Sequence, residues 1–399
     1  MNSGFIVRLR PTGPWRLGPS TGARDRVDRV LHSDTLYSAL TIAADQLGLL
    51  ADWVAATADA SRPAVRVSSA FPFIGRSLFA PAPKHVWPPA GAGKVRWESA
   101  RFVPLQLLSR LHAYESLKED RWAVDPVSGC LLPIEKFGEV NPPFRIGMRR
   151  TAAVDRVSHV SGEAGSTACL AFAEGAGMWC AVECSDDWNS RVQSLFRWIA
   201  DTGVGGERSL GWGRSAAPEF EALPPALTAT VENAEHHEIG HFLLSLFAPA
   251  TTDRVDWSRG SYALIRRSGR TQHRGELKTE SALVEEGSVL ISEAAPVGFA
   301  RDIAPAGYDH PVYRAGFAVT IPVAVRLPSF RTIERPAPEE TPVEDATIVP
   351  EAAPAPEHFT AETEPASEAD LVVEAVEDSL AIPEAPDQEP VRKEDEEQP

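Results

Sequence analysis

The chain has 399 residues, is 43% hydrophobic and carries a formal charge of −17 at pH 7, enough length and apolar content for two or three domains with real cores. No apolar run approaches the ~20 residues of a bilayer span, and no basic n-region followed by an apolar h-region opens the chain. Cys130, Cys169, Cys180 and Cys184 are sparse and form no C-x-x-C pair, so they read as buried thiols rather than a disulfide framework or zinc site. A cytoplasmic location with no membrane partner is the expectation.

In chain order, Phe5-Ile-Val-Arg-Leu-Arg10 alternates apolar and basic residues, the pattern of a half-buried strand. Ser33 to Gly48 reads as a helix: Leu36, Leu40, Ala43 and Leu47 share a face, Ser33 can cap, Asp34 suits the first turn and Gly48 ends it. Residues 61 to 145, rich in Pro and Trp, read as a long insertion with short strands and one helix near Leu105 to Leu117. A basic segment, Arg145-Ile-Gly-Met-Arg-Arg150, precedes an apolar strand pair or long strand from Ala168 to Cys184. Asp186 or Asp187 then caps a helix whose stripe of Val192, Leu195, Phe196, Ile199 and Ala200 stops at Gly203.

After the run Gly203 to Ser215 comes a short strand. The order strand, helix, strands, helix, strand predicts an α+β, ferredoxin-like (RRM-like) domain over 1–222. The joint Leu223-Pro-Pro-Ala226 leads to a second, mostly-β domain over 223–330, a candidate degenerate ferredoxin-like copy, with strands at Ile239 to Phe247, Tyr262 to Arg266, Ser288 to Ser292 and Phe317 to Val325. Residues 331–399 read as a disordered acidic Pro/Glu/Ala-rich tail. From Pro336 to Pro399 there are 20 Asp/Glu against Arg392 and Lys393, and 11 of the chain's 34 prolines. Such a composition buries too little apolar surface to offset ordering entropy. It serves as a solubilising tail or as an anionic competitor against loose nucleic-acid binding. The remainder, with 37 basic and 36 acidic groups, is near neutral.

His237-Glu238-Ile239-Gly240-His241 fits H-E-x-x-H, a zinc-hydrolase pattern that works only on a helix, where both imidazoles share a face. Gly240 costs a helix about 1 kcal/mol, and Phe242 to Phe247 reads as a buried strand. On a strand, His237 and His241 stand about 13 Å apart. Leu244 and Phe247 replace the glycine and histidine of the longer metzincin pattern. A metalloprotease through His237, Glu238 and His241 is therefore a remote alternative, and no metal or other cofactor is expected.

Glycines 203, 205, 206, 211 and 213 stand among Arg208, Ser209, Arg214 and Ser215. The Walker pattern fails because Trp212 follows Gly211, and the dinucleotide fingerprint fails because this run closes a helix rather than opening one. Glycines can still present successive N–H groups as an anion nest, and arginines add charge and planar contacts. Flexible turns look similar.

Five stretches in order resemble one family: Leu31-His-Ser-Asp-Thr-Leu-Tyr-Ser-Ala-Leu40, Thr151-Ala-Ala-Val-Asp-Arg156, Gly203-Val-Gly-Gly-Glu-Arg-Ser-Leu-Gly-Trp-Gly213, Glu286-Gly-Ser-Val-Leu290 and His310-Pro-Val-Tyr-Arg-Ala-Gly316. They are similar to the repeat-associated mysterious protein (RAMP) superfamily of CRISPR effector subunits, and the last two resemble the fourth subunit of the type III-A (Csm) complex. The resemblance covers residue 4 to about 327 and leaves out the tail. It implies a non-catalytic subunit that caps the 5′ handle of the guide (crRNA) and docks the large polymerase-like Csm subunit 1 and the backbone Csm subunit 3. It also implies a thumb formed by the insertion, about 61–145.

A single-stranded handle calls for basic groups, open N–H donors and stacking surfaces. The expected RNA-binding set is His32, Ser33, Asp34, Arg149, Arg150, Arg156, Gly203, Gly205, Gly206, Arg208, Ser209, Gly211, Gly213 and Arg214, with Arg145 in the same basic run. For any one arginine the alternative is solvated surface charge. Trp212 stacks on a base or packs the core, and Asp34 serves RNA or the helix N-terminus. The competing functions are a guide-processing endoribonuclease using His32 as acid or base, although no His–Tyr or His–Lys partner stands at a compelling spacing, and a type III-B counterpart.

Overall fold

The computed structural model describes residues 2–18, 22–89, 95–134, 142–154, 157, 161–228, 237–271 and 274–326, all within one compact unit. The predicted acidic tail and Arg156 lie outside the described residues.

The first half is built on β1 (Asn2–Leu9), α1 (Ser33–Gln46), α2 (Leu50–Ala56), β2 (Val65–Val67), β3 (Phe71–Ile74), β4 (Ser77–Pro81) and β5 (Phe102–Pro104). These are followed by α3 (Leu108–His112), β6 (Trp122–Val124), β7 (Leu131–Pro133), β8 (Phe144–Val154) and β9 (Ser161–Phe172). β10 (Ala176–Ser185), α4 (Asp186–Thr202), β11 (Glu219–Ala222) and α5 (Pro225–Thr228) complete it. The main sheet runs β11-β1-β10-β3-β4-β5, with β2 also on β10, and every pairing is antiparallel.

The sheet is buried on both faces. Phe5, Val7 and Leu9 of β1 and Met178, Cys180 and Val182 of β10 meet the helices, where Leu36, Tyr37 and Leu40 of α1 and Val192, Leu195, Phe196 and Ile199 of α4 complete one core. Ile6, Trp179 and Ala181 point the other way, into a second core with Phe71, Phe102, Leu108 and Leu131. The half-buried reading of β1 is thereby corrected. Arg8, expected in solvent, is 7% exposed; its guanidinium lies 5.0 Å from the Phe73 ring and bonds the Gly75 carbonyl. All four cysteines are free and buried.

Both predicted helices form, with different ends. The residue before α1 is His32 rather than Ser33, and no side chain caps the helix; Gly48, at φ +70°, follows its end. In α4 both aspartates sit in the first turn, where they complement the helix dipole, and Gly203 stops it at φ +90°. Part of the stretch read as an insertion is built into the main sheet. β2, β3 and β4 belong to the main sheet, and the helix expected to reach Leu117 ends at His112. The long two-stranded arm is instead β8–β9, paired from Phe144↔Phe172 to Val154↔Ser161. Its base is buried through Phe144, Ala168 and Leu170, whereas Ile146 and Met148 stand 40% and 51% exposed beside exposed arginines.

The second half contains β12 (His237–Leu243), β13 (Val255–Ser261), β14 (Leu264–Arg267), β15 (Ser281–Val284), β16 (Val289–Ser292), β17 (Ala300–Asp302), β18 (Tyr313–Ala315) and β19 (Thr320–Arg326). β13-β16-β12-β19 form one sheet, and β14–β15 and β17–β18 are separate pairs. Phe242, Val289, Ile321 and Val323 enter the second core of the first half, and Ala315 and Phe317 enter the first. H-E-x-x-H lies on β12, as predicted, paired with β19 on one side and β16 on the other. Glu238 is held by Arg259 at 2.5 Å. Gly240 is there for packing: a Cβ would meet Val325 at 2.6 Å and Val289 at 2.8 Å.

Candidate nucleic-acid interface

The segment from Pro11 to Arg24 ties the glycine-rich run to the arm. Trp15 is fully buried and pairs its backbone with Leu170 of β9, while its indole donates to the Arg214 carbonyl at 3.1 Å. The Arg16 guanidinium donates to the carbonyls of Ala23, Arg24 and Ala168. Arg24 bonds Thr167 of β9 and, at 3.0 Å, Glu207 of the glycine run.

The glycines do a different job from the one predicted. The N–H of Gly206 goes to the Arg16 carbonyl, that of Gly213 to Pro14, that of Gly211 to Arg208 and that of Gly203 to Ile199. A glycine nest open to a ligand anion is therefore not what forms. Gly203, Gly205, Gly211 and Gly213 all have positive φ, and at three of them a Cβ would strike backbone: Trp212 O at Gly203, Arg16 O at Gly205, Val204 O at Gly213. The run is a clasp that closes the end of α4 over the 11–24 segment. Trp212 settles on packing, at 8% exposure.

Gly213→Ala is accordingly expected to destabilise by about 2–4 kcal/mol, summing a left-handed backbone for a non-glycine residue and an overpacked contact. Gly211→Ala, at φ +79° with open space around the new methyl, should lose only about 1–2 kcal/mol. Equal losses in chemical denaturation would contradict the clasp.

On the surface of this clasp, Arg208 is half-buried, and Ser209 and Arg214 are exposed. Arg145, Arg149 and Arg150 are exposed along β8. None of these five arginines has an ion pair among the described residues. Arg149, Arg150, Arg208, Ser209 and Arg214 are the side chains of the expected set that stand exposed or half-buried at the surface, with Arg145 beside them.

His32, Ser33 and Asp34 are different. They are 5%, 3% and 6% exposed and fully engaged at the meeting of the two halves. The Ser33 N–H donates to Ser69 Oγ, and its hydroxyl accepts from the N–H of Leu246. His32 lies between Glu286 at 2.8 Å and Asp28 at 3.1 Å, and Ser69 donates to Glu286 as well. Burial alone would lower the imidazole's pKa; the charge of Glu286 and the bonds to both carboxylates outweigh it and carry it up to about 10. Burial opposes ionisation of Asp28 too, but His32 and two backbone N–H groups bring it down to about 2. Glu286 is likewise held below the usual carboxylate range, against its burial, by His32 and Ser69.

Asp34 takes Arg267 in a two-pronged pair at 2.9 and 3.0 Å, with Arg314 at 3.5 Å. Burial would raise its pKa; the charge of Arg267 leads the groups that lower it. Direct RNA contact by these three side chains is thus corrected to a structural clamp. The His32 imidazole, 5% exposed, has both ring nitrogens committed inside the fold, one to Glu286 and one to Asp28. Glu286 and Arg314 sit in the two later motifs, so both clamps join motif to motif. Arg267 and Lys278, beside the clamp, carried no sequence signal. Among the described residues, no three His, Cys, Asp or Glu side chains are grouped to hold a metal, and no helix is long and apolar enough to cross a membrane.

Residues 236–323 match the family model of the CRISPR Csm4 C-terminal domain. None of the curated proteins matches the chain. Among solved structures, the chain is similar to one from the crystal structure of the Csm3–Csm4 subcomplex of the type III-A CRISPR-Cas interference complex. The identity is 15%, 80% of this chain and 99% of that chain are covered, and the TM-score is 0.55. It is also similar to one from a Csm1–Csm4 cassette in complex with pppApA, at 18% identity, with 82% and 99% covered and a TM-score of 0.50. Residues 236–323 thus match the CRISPR Csm4 C-terminal domain family, and the fold of the chain is similar to that of chains in the Csm3–Csm4 and Csm1–Csm4 structures.

Proposed function

We propose that the chain is a non-catalytic RNA-binding subunit of a cytoplasmic type III-A CRISPR complex, one that caps the 5′ repeat-derived handle of the guide RNA. In this role it docks a Csm1-type polymerase-like subunit and a Csm3-type backbone subunit, the partners named for the similar solved structures. The observation that carries the RNA reading is the set of arginines on the arm and the clasp that have no ion pair among the described residues. Arg145, Arg149 and Arg150 are exposed along β8, and Arg208 and Arg214 stand on the clasp bonded to the same 11–24 segment. A flexible single strand is followed by such groups through its phosphates, with exposed apolar side chains such as Ile146 and Met148 available beneath bases.

The fold supports a ferredoxin-like reading of the first half. β1, α1, β3, β10, α4 and β11 follow the order β-α-β-β-α-β, and the sheet neighbours are β11-β1-β10-β3. The first domain on this reading is 1–222 and the second 223–330, sharing their cores.

The test is titration of handle RNA at a series of salt concentrations. For a single strand, every phosphate that the protein no longer neutralises should reduce the log–log salt slope by about 0.7. Arg149→Ala with Arg150→Ala, or Arg208→Ala with Arg214→Ala, is expected to weaken binding and flatten the slope by that amount for each phosphate set free. An unchanged slope in both pairs would overturn the assignment of this surface.

A further inference from the structure

Beside the Asp34 clamp lies a cleft of about 550 Å³, within the roughly 300–1,000 Å³ range of small-molecule sites. Its wall brings together the first turns of α1, the end of β14, the loop after it and β18, with Asp34, Ser38, Arg267, Arg270, Lys278 and Arg314 among the lining residues. Four of these are cations, and Asp34 is the one carboxylate among the described lining residues. Both oxygens of Asp34 are taken by Arg267, so the cleft keeps a positive excess that nothing in its described wall neutralises.

Lys278 is the informative side chain. Its backbone N–H donates to the Gly269 carbonyl and fixes the loop, but its ammonium has no hydrogen bond or ion pair among the described residues. Burial, and then the charge of Arg314, hold it below the ordinary lysine range. Arg314, a second cation beside it, donates to Ser281 and to the carbonyls of Arg267 and Ser268. A cation drawn partly out of water without a counter-charge is costly unless something anionic completes the site. Ser38 and the Arg270 guanidinium, one prong of which bonds the Gly275 carbonyl at 2.7 Å, add donors. The exposed Leu277, 64% accessible, gives an apolar edge.

We propose that this cleft is an anion site taking the phosphate of a nucleotide, with Lys278 and Arg270 on the phosphate oxygens and Leu277 against the nucleoside. Two sources share that chemistry, a free mononucleotide and a nucleotide within an RNA strand. Gly18 and Gly22 of the 11–24 segment also line the cleft, whereas none of Arg145, Arg149, Arg150, Arg208 and Arg214 does.

The experiment uses the full chain and calorimetric titration with inorganic phosphate, a nucleoside 5′-monophosphate and a short single-stranded RNA. The mononucleotide should bind saturably and more tightly than inorganic phosphate. Lys278→Gln should weaken it about tenfold or more, the scale of one charge-assisted hydrogen bond, while Lys278→Arg keeps most of it. Ser38→Glu, which places a like charge in the cleft without touching the clamp, should weaken it too. The Arg149→Ala, Arg150→Ala double variant should leave it unchanged. Displacement of bound RNA by the mononucleotide identifies the strand as the source; simultaneous binding identifies the free nucleotide. Absence of saturable nucleotide binding, or equal affinity in wild type, Lys278→Gln and Ser38→Glu, overturns the cleft proposal. In that event RNA binding that still depends on Arg149 and Arg150 keeps the proposed function intact, and RNA binding indifferent to them overturns that reading independently.

Discussion

Asp34→Ala is expected to destabilise the protein by about 3–5 kcal/mol, the usual loss when one partner of a buried ion pair is removed. Asp34 is the counter-charge for Arg267 at 2.9 and 3.0 Å and for Arg314 at 3.5 Å, with all three side chains 7% exposed or less. Removing it leaves two guanidinium groups without their shared counter-charge in the interior, and one of the second half's ties to α1 goes with it. Asp52→Ala is the contrast. Its pair with Arg191, at 3.2 Å, is 61% and 45% exposed, and such surface pairs contribute about 0–1 kcal/mol. Urea midpoints of the two variants measure the difference. A destabilisation below about 1 kcal/mol in Asp34→Ala, the scale of a surface pair, would show that the clamp does not hold the halves together.

His32→Gln should lose about 3 kcal/mol or more near pH 6.5, for the mirror-image reason that Glu286 and Asp28 lose their cation, and the loss should shrink as pH rises. The folded imidazole binds its proton more tightly than the unfolded one. Its stabilisation is therefore complete below the unfolded value of about 6.5 and disappears as pH climbs through about 10. The carboxylates act in the opposite sense: depressed when folded, they stabilise above the ordinary carboxylate range and lose that contribution as pH falls, Asp28 down through about 2. The clamp is strongest between about pH 4.5 and 6.5. Denaturation of wild type and His32→Gln at about pH 6.5 and about pH 9.5, across most of the rise toward about 10 over which the imidazole's stabilisation is lost, gives two differences, and the second should be the smaller. A difference that does not change with pH would mean that His32 is not held protonated.

Several of these features were legible in the sequence and others were not, and the division is physical. The stripe Val192, Leu195, Phe196, Ile199 predicts α4 because helical period and burial coincide there, and Gly203 marks its end by the φ that only glycine takes easily. The same logic placed H-E-x-x-H on a strand. Phe71-Pro-Phe-Ile74 fell within the Pro-rich stretch read as an insertion, yet it pairs with β10 of the main sheet. The alternation in β1 reported one buried face correctly and missed the other, since an arginine stacked on Phe73 looks like a solvent residue in sequence. Above all, charge pairing across the halves leaves no local trace. His32 meets Glu286 254 positions away, and Asp34 meets Arg267 across 233. Resemblance picked out His32, Asp34, Glu286 and the Arg314 stretch without revealing that they pair with one another, and a residue pattern shared by relatives was read as RNA contact when geometry makes it a clamp.

The central claim is handle binding without catalysis, and one measurement meets it directly. The purified full chain is titrated with end-labelled repeat-handle RNA and with an unrelated RNA of equal length, and the same samples are run on a denaturing gel with and without EDTA. The account predicts preferential binding of the handle and intact RNA in every lane, unchanged by EDTA. Specific cleavage of the handle, or equal affinity for the unrelated strand, would contradict it.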